Sequence, residues 1–531
     1  MKIRRILFSF LALFSAVTVA SAQQNERPPL PDVFDEPMSL YPSAIGDFTH
    51  PISTVVEGAQ AYFDQGFQLM FAFTKIDAAR SFREAQRLDS NCAMCYWGEA
   101  WAWGSYLNGA MGADEAPYAY AAIRRALELT SGHTTPRERA YVDAMAVRYV
   151  ENYDFESRRG QDEAYADAMK AVSDRYPDDL DALTLYADAL FLLEPRRGLR
   201  DINDPNVQRL HGVLEAILAK DITHPGACHL YVHATESTIA PEKAEACAKH
   251  LGTSIPGASH INHMPSHTWN EMGRWADSVR SNLLAWHSDQ KAVFGEGFAI
   301  YPSHNLHMLL FAASMDGQGA IAVQAGKDYA KLTENTAYHV LTLIRFGRFD
   351  EVLAITKRPE HEISGGLWDF GQGYANLRNG DDDFAEVYLQ RVLEAAKTSE
   401  ARLRFHSAEH LLGVVGAILE GEINSKRGEL SAAIASFERA VAIEDQLGYD
   451  EPEPLPFAAR HWLGVALLEA GRHSDAERIY REDIADHPHN GWSLFGLKTA
   501  LEAQGKPDPV VETDLKASWA RSDTWLRASK L

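Results

Sequence analysis

The sequence predicts an all-α chain in which helix pairs stack into an α-α superhelix. Three observations carry this. Apolar residues recur at helical spacing through almost all of the 531 residues, and strand-like alternation is nearly absent. Hydrophobic residues make up 46%, enough for a large core, with Gly and Pro near ordinary usage. A pattern of small and aromatic residues also repeats at fixed offsets. Gly66, Ala78, Phe82 and Ala85 are matched by Gly421, Ala433, Phe437 and Ala440, and Gly464, Ala476 and Tyr480 continue the series before Pro488.

These are the small, small, aromatic and breaker positions of a helix pair. Small residues let two helices cross closely, an aromatic fills the gap toward the next pair, and proline ends the second helix. The pattern resembles the tetratricopeptide-repeat superfamily, specifically at 59–92 and 414–490 and weakly between. The resemblance implies a superhelix with a groove that takes a peptide or partner protein. It assigns no chemistry.

In chain order, Lys2, Arg4 and Arg5 precede an apolar run from Ile6 to Ala20 and a small-residue site, Ala20-Ser21-Ala22. Residues 1–22 therefore read as a cleaved export signal, too short for a membrane span, and the mature protein as periplasmic or secreted. No later apolar run approaches spanning length, so no integral membrane segment is expected after cleavage. The stretch 23–57, with six prolines up to Pro51, reads as an extended lead-in. Residues 58–350 form an N-terminal helical region and 351–531 a C-terminal repeat region. Gly273, Gly347 and Gly471 mark turns between paired helices. Trp492 to Gly505 adds a helix, and Asp514 to Ser529 could cap the end. Asp381, Asp382 and Asp383 read as a solvated helix start, and Trp97 and Trp101 as core.

A net charge of −23 argues against nucleic acid as a partner. Cys92 and Cys95 form a C-x-x-C in a helical context, and Cys228 and Cys247 stand nineteen apart. Export permits disulfides, but four cysteines allow three pairings.

Histidine is concentrated: eleven of 21 lie between His211 and His307. His224, His229 and His233 form one cluster, His260, His263 and His267 a second, His304 and His307 a third after Tyr301. Pro225, Pro265 and Pro302 mark helix starts beside them. His229 and His233 are i, i+4 and share a helix face, as metal ligands do. The expected ligands are His229, His233, His263, His267, His304 and His307, holding copper, iron or zinc. Six imidazoles exceed one tetrahedral site, which implies two ions or one ion with supporting histidines. Leu230 replaces the glutamate of a metallopeptidase H-E-x-x-H, so a catalytic base must come from elsewhere. Glu236 is the first choice and Glu296 the second. The expectation is a metal-dependent hydrolase or oxidase on a repeat scaffold. The alternatives are a non-catalytic scaffold for a peptide or protein, and metal storage without turnover.

Overall fold

A computed structural model describes residues 30–195 and 198–531; the expected signal at 1–22 lies outside the described residues. Two units separate. Of Met1–Glu36 the described part holds a single 3-10 turn at Asp32–Asp35. Pro37–Leu531 holds everything else.

In that second unit helix follows helix, and most pack on the next in sequence. Among the described residues the paired strands are one short hairpin, Arg402–Leu403 with His406–Ser407. No described helix is long and apolar enough to cross a membrane.

The repeat signature acts through contact. A Cβ on Gly66 would stand 2.8 Å from the Phe82 ring, and one on Gly98 only 2.4 Å from it. Phe82 is thus clamped between its own pair and the next. Tyr480 repeats the device between Gly464 and Gly496, at 2.3 and 2.1 Å. Gly273, Gly347 and Gly471 adopt the left-handed turn expected between paired helices, with φ near 67–70°. Trp97 and Trp101 pack with Phe67 in the core. The helix Asp382–Thr398 starts at the acidic triplet.

The lead-in is pinned by two buried glutamines of the helix Glu57–Phe71. Gln65 accepts from the Tyr41 amide at 2.8 Å, and Gln68 from the Gly46 amide at 2.7 Å. At the other end the helix Pro509–Ser518 gives way to irregular chain. There the Asp523 carboxylate caps the helix Gly319–Thr333, taking the Gly319 and Ala320 amides at 2.6 and 2.9 Å. Trp275 and Trp492 donate to the carbonyls of Pro488 and Ser314, so the last pairs fold back onto the middle of the chain.

Both cysteine pairs close as disulfides, Cys92–Cys95 and Cys228–Cys247. The second ties the helix Pro225–Thr235 to the helix Glu245–Leu251, next to His229.

Candidate metal centre

Each proline-marked start is a helix with proline in its first turn: Pro225–Thr235, Pro265–Glu271 and Pro302–Met315. His224 caps the first, its Nδ1 accepting from the Ala227 amide at 3.1 Å while Nε2 meets Asp181. His224 is thereby used structurally. The short helix Ser259–His263 runs into Pro265–Glu271, placing His263 and His267 one turn apart.

The histidines gather into two separate triads, each able to hold a metal ion. One is His229, His233 and His260; the other is His263, His267 and His304. Within a triad the donor atoms lie within 4.8 Å of one another. The triads adjoin, with ring centroids of His233 and His267 5.6 Å apart and those of His260 and His263 5.8 Å apart.

The tautomers follow from what each Nδ1 faces. His229 Nδ1–H donates to the Phe71 carbonyl at 2.6 Å, an end carbonyl of the helix Glu57–Phe71. His233 Nδ1–H donates to Glu236 Oε1 at 2.8 Å, and His267 Nδ1 lies 2.6 Å from Glu236 Oε2. His263 Nδ1–H donates to Asn282 Oδ1 at 2.8 Å. In His229, His233 and His263 the Nε2 lone pair is left for the centre, and neutral His267, with Nδ1 facing Glu236, presents its Nε2 lone pair in the same way. The Nε2 atoms of His229 and His233 have no protein partner, and neither nitrogen of His260 has one. In the second triad His263 Nε2 stands 2.7 Å from His267 Nε2 and 3.1 Å from His304 Nε2. Converging lone pairs repel unless a cation or proton lies among them, and a buried unsatisfied nitrogen is costly. The donor set therefore suits a metal.

Electrostatics keeps most donors neutral. Burial first, then neighbouring imidazoles, hold His229, His260, His263 and His304 well below the ordinary histidine range. Burial would lower His267, but the carboxylates of Glu236, Glu451 and Glu271 together raise it. Burial would raise Glu236, but His233 and His267 hold it well below the usual carboxylate range. With both oxygens facing imidazole nitrogens, Glu236 orients one ligand in each triad.

His307 stands apart from both triads. Its Nδ1 faces Arg404 Nη1 at 3.2 Å and its ring packs on Tyr338 at 4.1 Å. Glu296 belongs to neither triad, nor to the Glu236, His267 and Glu451 cluster that shares His267. His211 Nε2–H donates to the Ala234 carbonyl at 3.0 Å, inside the core. His260, which sequence reasoning left without a role, completes the first triad. Its signal was its place three residues before His263, on one helical face.

Backbone strain gathers here too. Among the described residues five non-glycine residues have positive φ, and three of them, Phe73, Tyr301 and Arg404, border the histidines. Phe73 packs on His229 at 4.3 Å and His260 at 5.4 Å, and Tyr301 meets His260 edge-on at 5.5 Å.

No family model matches the chain, and no curated protein matches it. Among solved structures it is similar to the APC/C hetero-tetramer Cut9–Hcn1, at 12% identity over 87% of this chain and 76% of that one, TM-score 0.29. It is similar to the TPR domain of P58(IPK), at 10% identity over 84% and 98% of the two chains, TM-score 0.22. It is also similar to the human IFIT1 dimer with m7Gppp-AAAA, at 10% identity over 88% and 90%, TM-score 0.29. Similarity this low says nothing about the histidines, and the tetratricopeptide-like helix pairing stands on this chain's own packing.

Proposed function

We propose that this protein is an exported metalloprotein that holds two transition-metal ions, one on each histidine triad, and uses the pair for oxidative chemistry. One observation carries the reading: five buried imidazoles and the half-buried His304 form two separate three-nitrogen sets, with the Nε2 lone pairs of His229, His233, His263 and His267 selected by acceptors on the far side of the ring. Copper is the ion of first choice. An all-imidazole set suits it, and it binds most tightly among the divalent first-row metals. Zinc and iron are the other ions such a set accepts.

Three protein donors per ion leave coordination positions open to an incoming molecule. Bound there, a metal pair would supply one-electron chemistry or polarise a bound oxygen. The chain's own part is orientation. Phe71, Asn282 and Glu236 hold the imidazoles, and the rings of Phe73 and Tyr301 pack against them. Oxidation is favoured over hydrolysis because Glu236, the nearest carboxylate to serve as a base, is occupied by His233 and His267. The two disulfides support an oxidising compartment outside the cytoplasm.

The test is elemental analysis of tag-free protein after reconstitution with copper. Two equivalents per chain are expected, falling to one in His229→Ala/His233→Ala and to one in His263→Ala/His267→Ala. Less than about a tenth of an equivalent of any transition metal in the parent protein would end the proposal in favour of a plain docking scaffold.

A further inference from the structure

A cavity of about 340 Å³ adjoins the centre, lined by His233 and His260 of one triad and His267 and His304 of the other. Four aromatic rings, Tyr301, Tyr329, Tyr338 and the hairpin-tip residue Phe405, share the remaining wall with Leu403 and with polar residues that include Asn108, Ser303 and Glu451. These rings come from separate parts of the chain: the start of Pro302–Met315, the helices Gly319–Thr333 and Ala337–Arg345, and the β-hairpin turn. Tyr329 and Tyr338 meet edge to face at 5.0 Å. Arg404 also lines the space, and it and Tyr301 both hold the left-handed backbone conformation, at φ 55° and 59°. Bulky residues keep such a conformation only where the surroundings enforce it, as ligand clamps do.

We infer that this cavity is the binding site for a small phenol, presented to both triads at once. The inference rests on the metal reading above and adds the class of molecule that the centre acts on. Its volume lies at the small end of ligand pockets, sized for a one- or two-ring molecule and not for a length of peptide. Edge and face contacts with four aromatic rings favour a flat aromatic partner over a saturated one.

Polar groups there suit a ligand with few oxygens. Tyr301 Oη already shares a hydrogen bond with Tyr106 Oη at 2.6 Å. Arg404 is held by Asp450 and by the Glu451 carbonyl. Tyr338 Oη and His307 Nε2 have no protein partner. With Nδ1 facing a guanidinium, His307 carries its proton on Nε2, which makes it a donor for a ligand oxygen. His307 thus acquires a role as a positioning residue, which its absence from both triads left open.

The test is calorimetric titration of the full chain, metal-free and copper-loaded, with 4-methylphenol and with 4-methylcyclohexanol. At least tenfold tighter binding of the phenol is expected in both forms. Phe405→Ala should weaken it about fivefold with unchanged thermal melting, because Phe405 is already 41% exposed. His307→Ala should weaken it while leaving bound copper unchanged. Equal affinity for the two alcohols, or binding of neither, would overturn the inference. Copper content, measured on the same samples, separates the two ideas. Two equivalents of copper without discrimination sinks the pocket alone. Discrimination without copper uptake sinks the metal centre, and with it the claim that the phenol is presented to metal.

Discussion

Glu236→Gln should damage the two triads unequally. In the parent chain one carboxylate serves both, with Oε1 2.8 Å from His233 Nδ1 and Oε2 2.6 Å from His267 Nδ1. A glutamine side chain keeps one oxygen acceptor and replaces the other with an NH2 donor. Only one imidazole can then keep its Nδ1–H tautomer. The other must present Nδ1 as an acceptor, which moves its proton to Nε2 and removes a metal donor. Loss of a supporting acceptor costs about 10–100-fold in metal affinity, or roughly 1.4–2.7 kcal/mol. That loss falls on the triad facing the NH2, which gives up a ligand as well, whereas the triad facing the retained oxygen loses only the carboxylate's charge. Competition against a chromophoric copper chelator measures both equivalents. One equivalent weakened modestly and the other strongly is the expected result. Two unchanged equivalents would refute the supporting role of Glu236, and equal weakening of both would refute the tautomer reasoning.

Other outcomes follow from the same contacts. Asn282→Ala should weaken only the ion of the His263 triad, because Asn282 touches no ring of the other set, and the same chelator competition would report it. Gly98→Ala would drive a methyl into Phe82 at 2.4 Å and should cost about 1–3 kcal/mol in chemical denaturation. Replacing Cys228 and Cys247 by alanine opens a loop of nineteen residues and should cost about 3 kcal/mol, read as a lower melting temperature. Metal-free protein should lose stability as pH falls below about 6.5, the ordinary histidine pKa. His229, His260, His263 and His304 stay neutral in the fold but take up protons once unfolded, so each contributes about 1.4 kcal/mol of loss per pH unit. His267, whose pKa is raised, works in the opposite direction. Melting temperatures of metal-free protein that match at pH 7.5 and 5.5 would contradict this.

Local signals in the sequence reached a long way. Gly66 and Phe82 announced a close crossing because a glycine opposite an aromatic at fixed offset has few other uses. Prolines 225, 265 and 302 announced helix starts because proline costs least in a helix's first turn. The i, i+4 spacing put His229 with His233 and His263 with His267, and helical geometry alone requires those neighbours. What spacing could not contain was the partition into two triads. That depends on how the helices Pro225–Thr235, Ser259–His263 and Pro302–Met315 meet, which tertiary packing decides.

His307 shows the limit from the other side. It lies one turn from His304, yet Arg404, 97 residues away in a hairpin, draws its Nδ1 off. Glu236 was legible as a neighbour of His233 at i+3, but its reach to His267 was not. Phe71, Asn282 and Tyr301 carried no signal as supports, because a carbonyl, an amide and a ring acquire these roles only through contacts distant in sequence.

Anomalous diffraction from crystals of copper-reconstituted protein, collected on both sides of the copper absorption edge, tests the dinuclear centre most directly. Two peaks are predicted, one amid His229, His233 and His260 and one amid His263, His267 and His304. Density for copper elsewhere, or none with the imidazole nitrogens turned toward backbone carbonyls, would contradict it.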